Sequence, residues 1–214
     1  LFPYTTLFRS LSGCNNRTDS VTVAPAEYTP MQQSFRGILP CVDCGGIDTS
    51  LFLEKDGTWV MQQHYQDAKA PSVFSSWGTW ARTANKLVLT DSDGEKWYFH
   101  PAGESLEMLD REGNTIQSSL NYTLKAVKQS LPSAPMPMKG MYKYMADTAM
   151  FTDCATGKMF IMASNAALER GYAAARDNEM KPVLLVVSAH FALAPNPDTG
   201  ALRKVLVADS KGEF

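Results

Sequence analysis

Between residues 34 and 127 the chain is a train of short β-prone runs, each closed by a turn dipeptide. Runs at 47–54, 58–65, 74–82, 86–90, 96–100, 105–110 and 122–127 alternate with Asp56-Gly57, Asp93-Gly94, Ala102-Gly103 and Glu112-Gly113. Glycine supplies the positive φ that a tight hairpin turn demands, so each such pair specifies antiparallel neighbours. Seven or so strands with no helix between them predict an antiparallel meander that closes into a small barrel. The phrase Gly-Thr-Trp occurs at 57–59 and again at 78–80, which predicts Trp59 and Trp80 as large aromatics in the barrel interior. A site for an aromatic ligand is the alternative use of the two rings.

After this block come Pro132, Pro135 and Pro137, which a central strand does not tolerate, so the reading places a Pro-rich linker over 129–138. Strands are then expected at 141–145 and 158–163, around the turn Ala155-Thr156-Gly157. A helix is expected over 165–176, capped by Asn165 and weakened by Gly171, followed by strands at 183–193 and 204–207. Strands with one interposed helix predict a five-stranded barrel of the oligonucleotide/oligosaccharide-binding (OB) type. The fold expected overall is all-β and mainly antiparallel, with one short helix. Its organisation reads as a spurious or remnant signal segment over 1–13, a lipidated tether over 14–33, an N-terminal barrel domain over 34–128, the linker, and a C-terminal OB-like domain over 139–214. A strand is expected to start at Lys211-Gly212-Glu213-Phe214, so the second domain is expected to be truncated.

Composition narrows the function classes. Of 214 residues 44% are hydrophobic and the formal net charge is -2, with no basic stripe, so nucleic acid is not an expected partner. No run approaches the roughly 20 apolar residues of a membrane-spanning helix. Contact with a lipid bilayer is expected through a covalent lipid or a partner instead. Leu11-Ser12-Gly13-Cys14 offers small residues ahead of a cysteine, and the polar stretch 15–20 follows. That pattern suits a lipoprotein processing site with the acyl chains on Cys14. Residues 1–10 do not form the apolar core of a signal peptide, because Pro3 and Arg9 interrupt them.

Chemistry concentrates at Cys41-Val42-Asp43-Cys44. Two cysteines at this spacing close a disulfide, exchange disulfides, or clamp a soft ion such as Cu(I). Gly45-Gly46 and a strand follow, so the helix that activates a thioredoxin-like thiol is missing, and no second pair completes a four-ligand zinc site. A disulfide and a Cu(I) site on Cys41 and Cys44 both stay open. Met136, Met138 and Met141 are core filling or a thioether patch. His64, His100 and His190 fall on separate strands, and Asp91 and Asp93 share a turn. No nucleophile elbow, phosphate loop or metalloprotease helix is present, so the sequence predicts no catalytic residue, no required cofactor and no enzyme. Cys154 needs a partner, or else is a reactive free thiol.

Longer phrases then carry a resemblance. Leu11–Arg17, Arg36-Gly37-Ile38-Leu39-Pro40-Cys41-Val42-Asp43-Cys44, Thr49–Trp59 and Asn196-Pro197-Asp198-Thr199-Gly200 are similar to the enterobacterial NlpE family of copper homeostasis or copper resistance lipoproteins, over nearly the whole chain. The resemblance implies an outer-membrane, periplasm-facing lipoprotein with a lipocalin-like N-terminal barrel and a C-terminal OB domain. It further implies activation of the Cpx envelope-stress pathway through an inner-membrane sensor kinase, with links to surface adhesion, lipoprotein-trafficking stress and copper. By the same resemblance Cys14 is the acylated (palmitate-bearing) residue. Asn15 then permits passage by the lipoprotein-sorting machinery, and Cys154 pairs with a cysteine in a tail this chain lacks. Two other functions compete: a periplasmic Cu(I) buffer or chaperone acting through Cys41 and Cys44, and a carrier of small apolar ligands.

Overall fold

The structure, a computed structural model, describes residues 33–67, 69, 71–178 and 181–214. The segment expected to be a signal remnant, the tether up to residue 32, and Cys14 lie outside the described residues. Two closed barrels follow one another along the chain. The first is an eight-stranded meander: β1 (Gln33–Leu39), β2 (Ile47–Leu53), β3 (Thr58–Tyr65), β4 (Val73–Arg82), β5 (Leu87–Asp91), β6 (Lys96–Ala102), β7 (Ser105–Met108) and β8 (Thr123–Val127). Every neighbour is antiparallel, and β1 closes the barrel on β8 through Ser34↔Val127 and Arg36↔Lys125. The strand β1 adds one to the seven read as runs.

Side chains fill this barrel. Leu51, Trp59, Leu87, Leu89, Phe99 and Leu124 are completely buried in one core cluster. Eight strands enclose a space about wide enough for such a filling, which leaves little support for the apolar-carrier reading. The two Gly-Thr-Trp phrases face each other across β3 and β4, with Thr58 opposite Thr79 and Trp59 opposite Gly78. They do different jobs. Gly57 holds φ at 81° in the β2–β3 turn. Gly78 instead lets β5 approach, since a Cβ there would lie 2.0 Å from the Thr90 carbonyl oxygen. Trp59 is wholly interior and donates its indole N–H to the carbonyls of Thr79 (3.0 Å) and Thr90 (3.2 Å). Trp80 is only partly buried at the edge of that core, and donates to the Glu54 carbonyl at 3.0 Å.

The second barrel comprises β9 (Met136–Met145), β10 (Thr148–Asp153), β11 (Met159–Met162), helix α1 (Ala166–Ala175), β12 (Val183–Pro195) and β13 (Leu202–Ala208). Its strand order is β10-β11-β13-β12-β9, and the one parallel neighbour is the short β11–β13 contact at Met162↔Leu206. Five strands and one helix match the OB expectation. β9 begins inside the expected linker, at Met136, so the linker ends earlier than residue 138. Pro137 is tolerated there because β9 meets β10 only from Gly140 onward, which leaves one side of Pro137 free of a ladder. Met136 and Met138 are buried in the core, so these two are packing residues. Asn165 caps α1 as expected, accepting from the amides of Ala167 (3.0 Å) and Leu168 (3.2 Å). Gly171 weakens the helix but clears space for a ring: a Cβ there would lie 2.6 Å from Phe214, which also packs edge-on against Tyr142.

Candidate functional site

Cys41 and Cys44 sit in the loop from β1 to β2, at one rim of the first barrel, and they form a disulfide with Cα atoms 5.3 Å apart. Backbone bonds hold the loop to the start of the β3–β4 connection, from the Gly45 amide to the Gln66 carbonyl (3.3 Å) and from the Gln66 amide to the Gly46 carbonyl (2.9 Å). Gly46 adopts φ 143°, and a Cβ there would strike the Ile38 side chain at 2.5 Å. The tip residue Val42 is 98% exposed, so the disulfide rides at the surface within reach of another molecule. Next to the loop, the first barrel is stitched by Arg36, which forks onto Asp48 at 2.9 and 2.5 Å. That hydrogen-bonded guanidinium keeps the Asp48 carboxyl below its ordinary range.

Among the described residues, no three His, Cys, Asp or Glu side chains converge as a metal cluster. His64 and His100 stay apart; His100 Nδ1 lies 2.9 Å from the Asn85 carbonyl and His190 Nδ1 lies 2.9 Å from Asp209. Asp91 accepts from the amides of Asp93 and Glu95, the ordinary work of a turn aspartate. Cys154 is exposed with a free thiol on the turn after β10. Its neighbour Asp153 is buried and accepts from the amides of Ala155 (3.1 Å) and Thr156 (2.8 Å). No cysteine among the described residues is left to pair with Cys154, since Cys41 and Cys44 bond to each other.

The sequence reading missed the seam where the barrels meet. Phe52, Val60 and Trp77 form a row across β2, β3 and β4, in register as Phe52↔Val60 and Val60↔Trp77. All three are buried, yet they belong to the core cluster of the second barrel. Trp77 packs edge-on against Phe160 (5.3 Å) and Phe191 (5.7 Å). The uninterrupted apolar triplets Leu51-Phe52-Leu53 and Trp59-Val60-Met61 carried the signal, because a strand covered on both faces loses its alternation. Beside the rings runs a polar strip. Lys204 Nζ lies 2.6 Å from Asp56 and 2.5 Å from Thr58 Oγ1, above the Phe191 ring at 4.7 Å. Lys158 donates to the Asp56 carbonyl. Burial pushes the Asp56 carboxyl up, but hydrogen bonds from Lys204 and Thr58 outweigh it and hold the group below its usual value. Glu54 behaves oppositely. It is buried, and desolvation raises its carboxyl despite the attraction of Lys204.

With this geometry in view, relatives are informative. The family described as the NlpE N-terminal domain matches residues 35–119, and that described as the NlpE C-terminal OB domain matches residues 132–214. Lipoprotein NlpE of Escherichia coli K12 is 62% identical over 209 residues, spanning 96% of this chain and 89% of that protein. The crystal structure of the Cpx pathway activator NlpE from Escherichia coli is 63% identical, covering 86% of this chain and 95% of that one, with a TM-score of 0.41. A Shewanella oneidensis protein of known structure is 33% identical over 45% of this chain and 88% of its own, with a TM-score of 0.39. No helix among the described residues is long and apolar enough to cross a membrane.

Proposed function

The chain belongs to the NlpE lipoprotein family, and from that premise we propose that it is an outer-membrane lipoprotein that reports envelope stress by activating the Cpx sensor kinase. The observation carrying this reading is the 62% identity, over 96% of the chain, to Escherichia coli lipoprotein NlpE, a protein described as a Cpx pathway activator. The chemistry of the N-terminal segment supports it. Acyl chains on Cys14 contribute about 0.8 kcal/mol per buried CH2, so two or more chains anchor a soluble domain firmly. Residues 15–32 then give the barrels at most about 60 Å of reach from the bilayer. On the outer membrane the acyl anchor holds the barrels to a different bilayer from that of an inner-membrane kinase. A chain that fails to be sorted sits on the same membrane as the kinase and meets it. Overproducing the full chain should therefore raise a Cpx-dependent transcription reporter severalfold in cells that have the kinase. An equal rise in cells without the kinase would contradict the reading.

A link to copper is the second reading, favoured by the pairing of Cys41 and Cys44 on an exposed rim. The donors fit two-coordinate Cu(I): both are soft, adjacent and near the surface, and no further cluster of His, Cys, Asp or Glu stands ready for a harder ion among the described residues. The disulfide first takes two electrons and two protons from a dithiol reductant to give two thiols, and these release their protons to solvent as the thiolates bind the ion. Titrating Cu(I) into the reduced protein against a chelator should give near-stoichiometric binding, lost in the Cys41→Ser/Cys44→Ser variant. Equal binding by both proteins removes the pair as the site. Surface adhesion enters only through the family resemblance, and no feature of either barrel adds to it.

A further inference from the structure

β12 has an open edge. Its ladder with β9 ends at Met136↔Ala189, whereas its ladder with β13 runs on to Pro195↔Leu202. From His190 to Pro195 no strand among the described residues pairs with its other side. A linker proline explains the stop: continued in this register, Pro132 would stand opposite Leu193 with no amide to donate, so the chain ahead of β9 does not zip onto β12. The space left is a cavity of about 700 Å³ between the barrels, within the range of ligand sites. Linker residues such as Leu131, β12 residues 190–193, and Phe52 and Glu54 at the end of β2 all line it.

Glu54 is the second observation. It is 6% exposed and lines the cavity, and no hydrogen bond from a described residue reaches its carboxylate, whose oxygens keep some contact with solvent. Lys204 attracts it, but that ammonium is already held by Asp56 and Thr58. A carboxylate this far buried with no donor from the protein is best paired by a cation on a ligand. Lys128 also lines the cavity but is exposed, so water screens its charge as it does not screen that of Glu54.

An open strand edge beside a buried, donor-hungry carboxylate calls for one kind of occupant. We propose that the cleft takes an extended peptide segment bearing a lysine or arginine, whose backbone adds as a strand along residues 190–195 and whose cation pairs with Glu54. Strand addition supplies sequence-independent affinity, and the carboxylate selects for the basic side chain. An unfolded stretch of polypeptide has this chemistry, whereas the exposed loops of a folded protein do not readily present it. The inference concerns the cleft alone and does not depend on the signalling reading.

The test uses the full chain and a fluorescent peptide, acetyl-Thr-Val-Lys-Val-Thr-Val-Thr-amide, followed by anisotropy. Binding should weaken at least tenfold when norleucine replaces the lysine, and equally when Glu54→Gln replaces the carboxylate. N-methylation of alternate peptide residues should abolish binding in one of the two phases, because only one phase faces the β12 edge. Octylammonium should fail to displace the peptide. Several results would overturn the proposal: no binding, equal binding of lysine and norleucine peptides, indifference to both N-methylation phases, or displacement by octylammonium, which would make this a small-amine site. The norleucine comparison uses the unaltered protein, so it stands even where Glu54→Gln perturbs folding.

Discussion

Replacing Trp77 with alanine removes the centre of the seam without touching the interior of the first barrel. Trp77 is 3% exposed, and its ring partners Phe160 and Phe191 belong to the other barrel. Truncating a buried tryptophan costs about 3–5 kcal/mol, and each edge-on ring pair accounts for roughly 0.5–1.5 kcal/mol of that beyond simple burial. The interior residues Leu51, Trp59, Leu89 and Phe99 form a separate cluster and stay in place. The loss therefore falls on the coupling between barrels, raising the population of separated barrels by about a hundredfold or more at 1.4 kcal/mol per factor of ten. Calorimetry of the wild type should give one main transition. Trp77→Ala should split it, the less stable barrel melting lower by about 4–8 °C for every 1 kcal/mol it loses. Protease should also cut the linker between β8 and β9 sooner. Val42→Ala, at a 98% exposed position, is the control and should change stability by less than about 0.5 kcal/mol. A Trp77→Ala protein that melts in one transition at the wild-type temperature would refute the claim that this row couples the barrels.

Two further outcomes follow from the same contacts. Glu54 has its carboxyl raised above 4.5 in the folded state, so its stabilising contribution is complete below the unfolded value and is lost as pH rises through the folded one. Denaturant titrations between pH 4 and 8 should show that loss in the wild type and a flatter profile in Glu54→Gln, with the variant at least as stable at neutral pH; parallel profiles would mean that Glu54 is not desolvated. Asn165→Ala removes both amide bonds that begin α1 and should cost about 1 kcal/mol, read as a lower melting temperature of the second barrel, and no change would mean that solvent replaces the cap.

The meander was legible because its turns carry glycine, and Gly57, Gly94, Gly103 and Gly113 all take positive φ. β10 escaped for the opposite reason. Its hairpin with β9 turns on Ala146 and Asp147, at φ 50° and 57°, a two-residue turn built without the glycine that usually marks it. The cysteine pair was legible from its spacing, which left a disulfide and a Cu(I) site both open, and the structure closes the disulfide with the Cα atoms 5.3 Å apart. Glu54 was not. Its local sequence, Leu53-Glu54-Lys55-Asp56, reads as an exposed turn, and only the second barrel buries it. Burial that comes from a partner more than eighty residues away leaves no local periodicity, and Trp77 was passed over for the same reason.

The central claim is that this lipoprotein acts on the Cpx sensor kinase directly. The acylated full chain and the purified kinase should be placed in the same proteoliposomes and kinase autophosphorylation followed with ATP. The account predicts a severalfold faster rate in proportion to the lipoprotein present. A rate unchanged at saturating lipoprotein would contradict it.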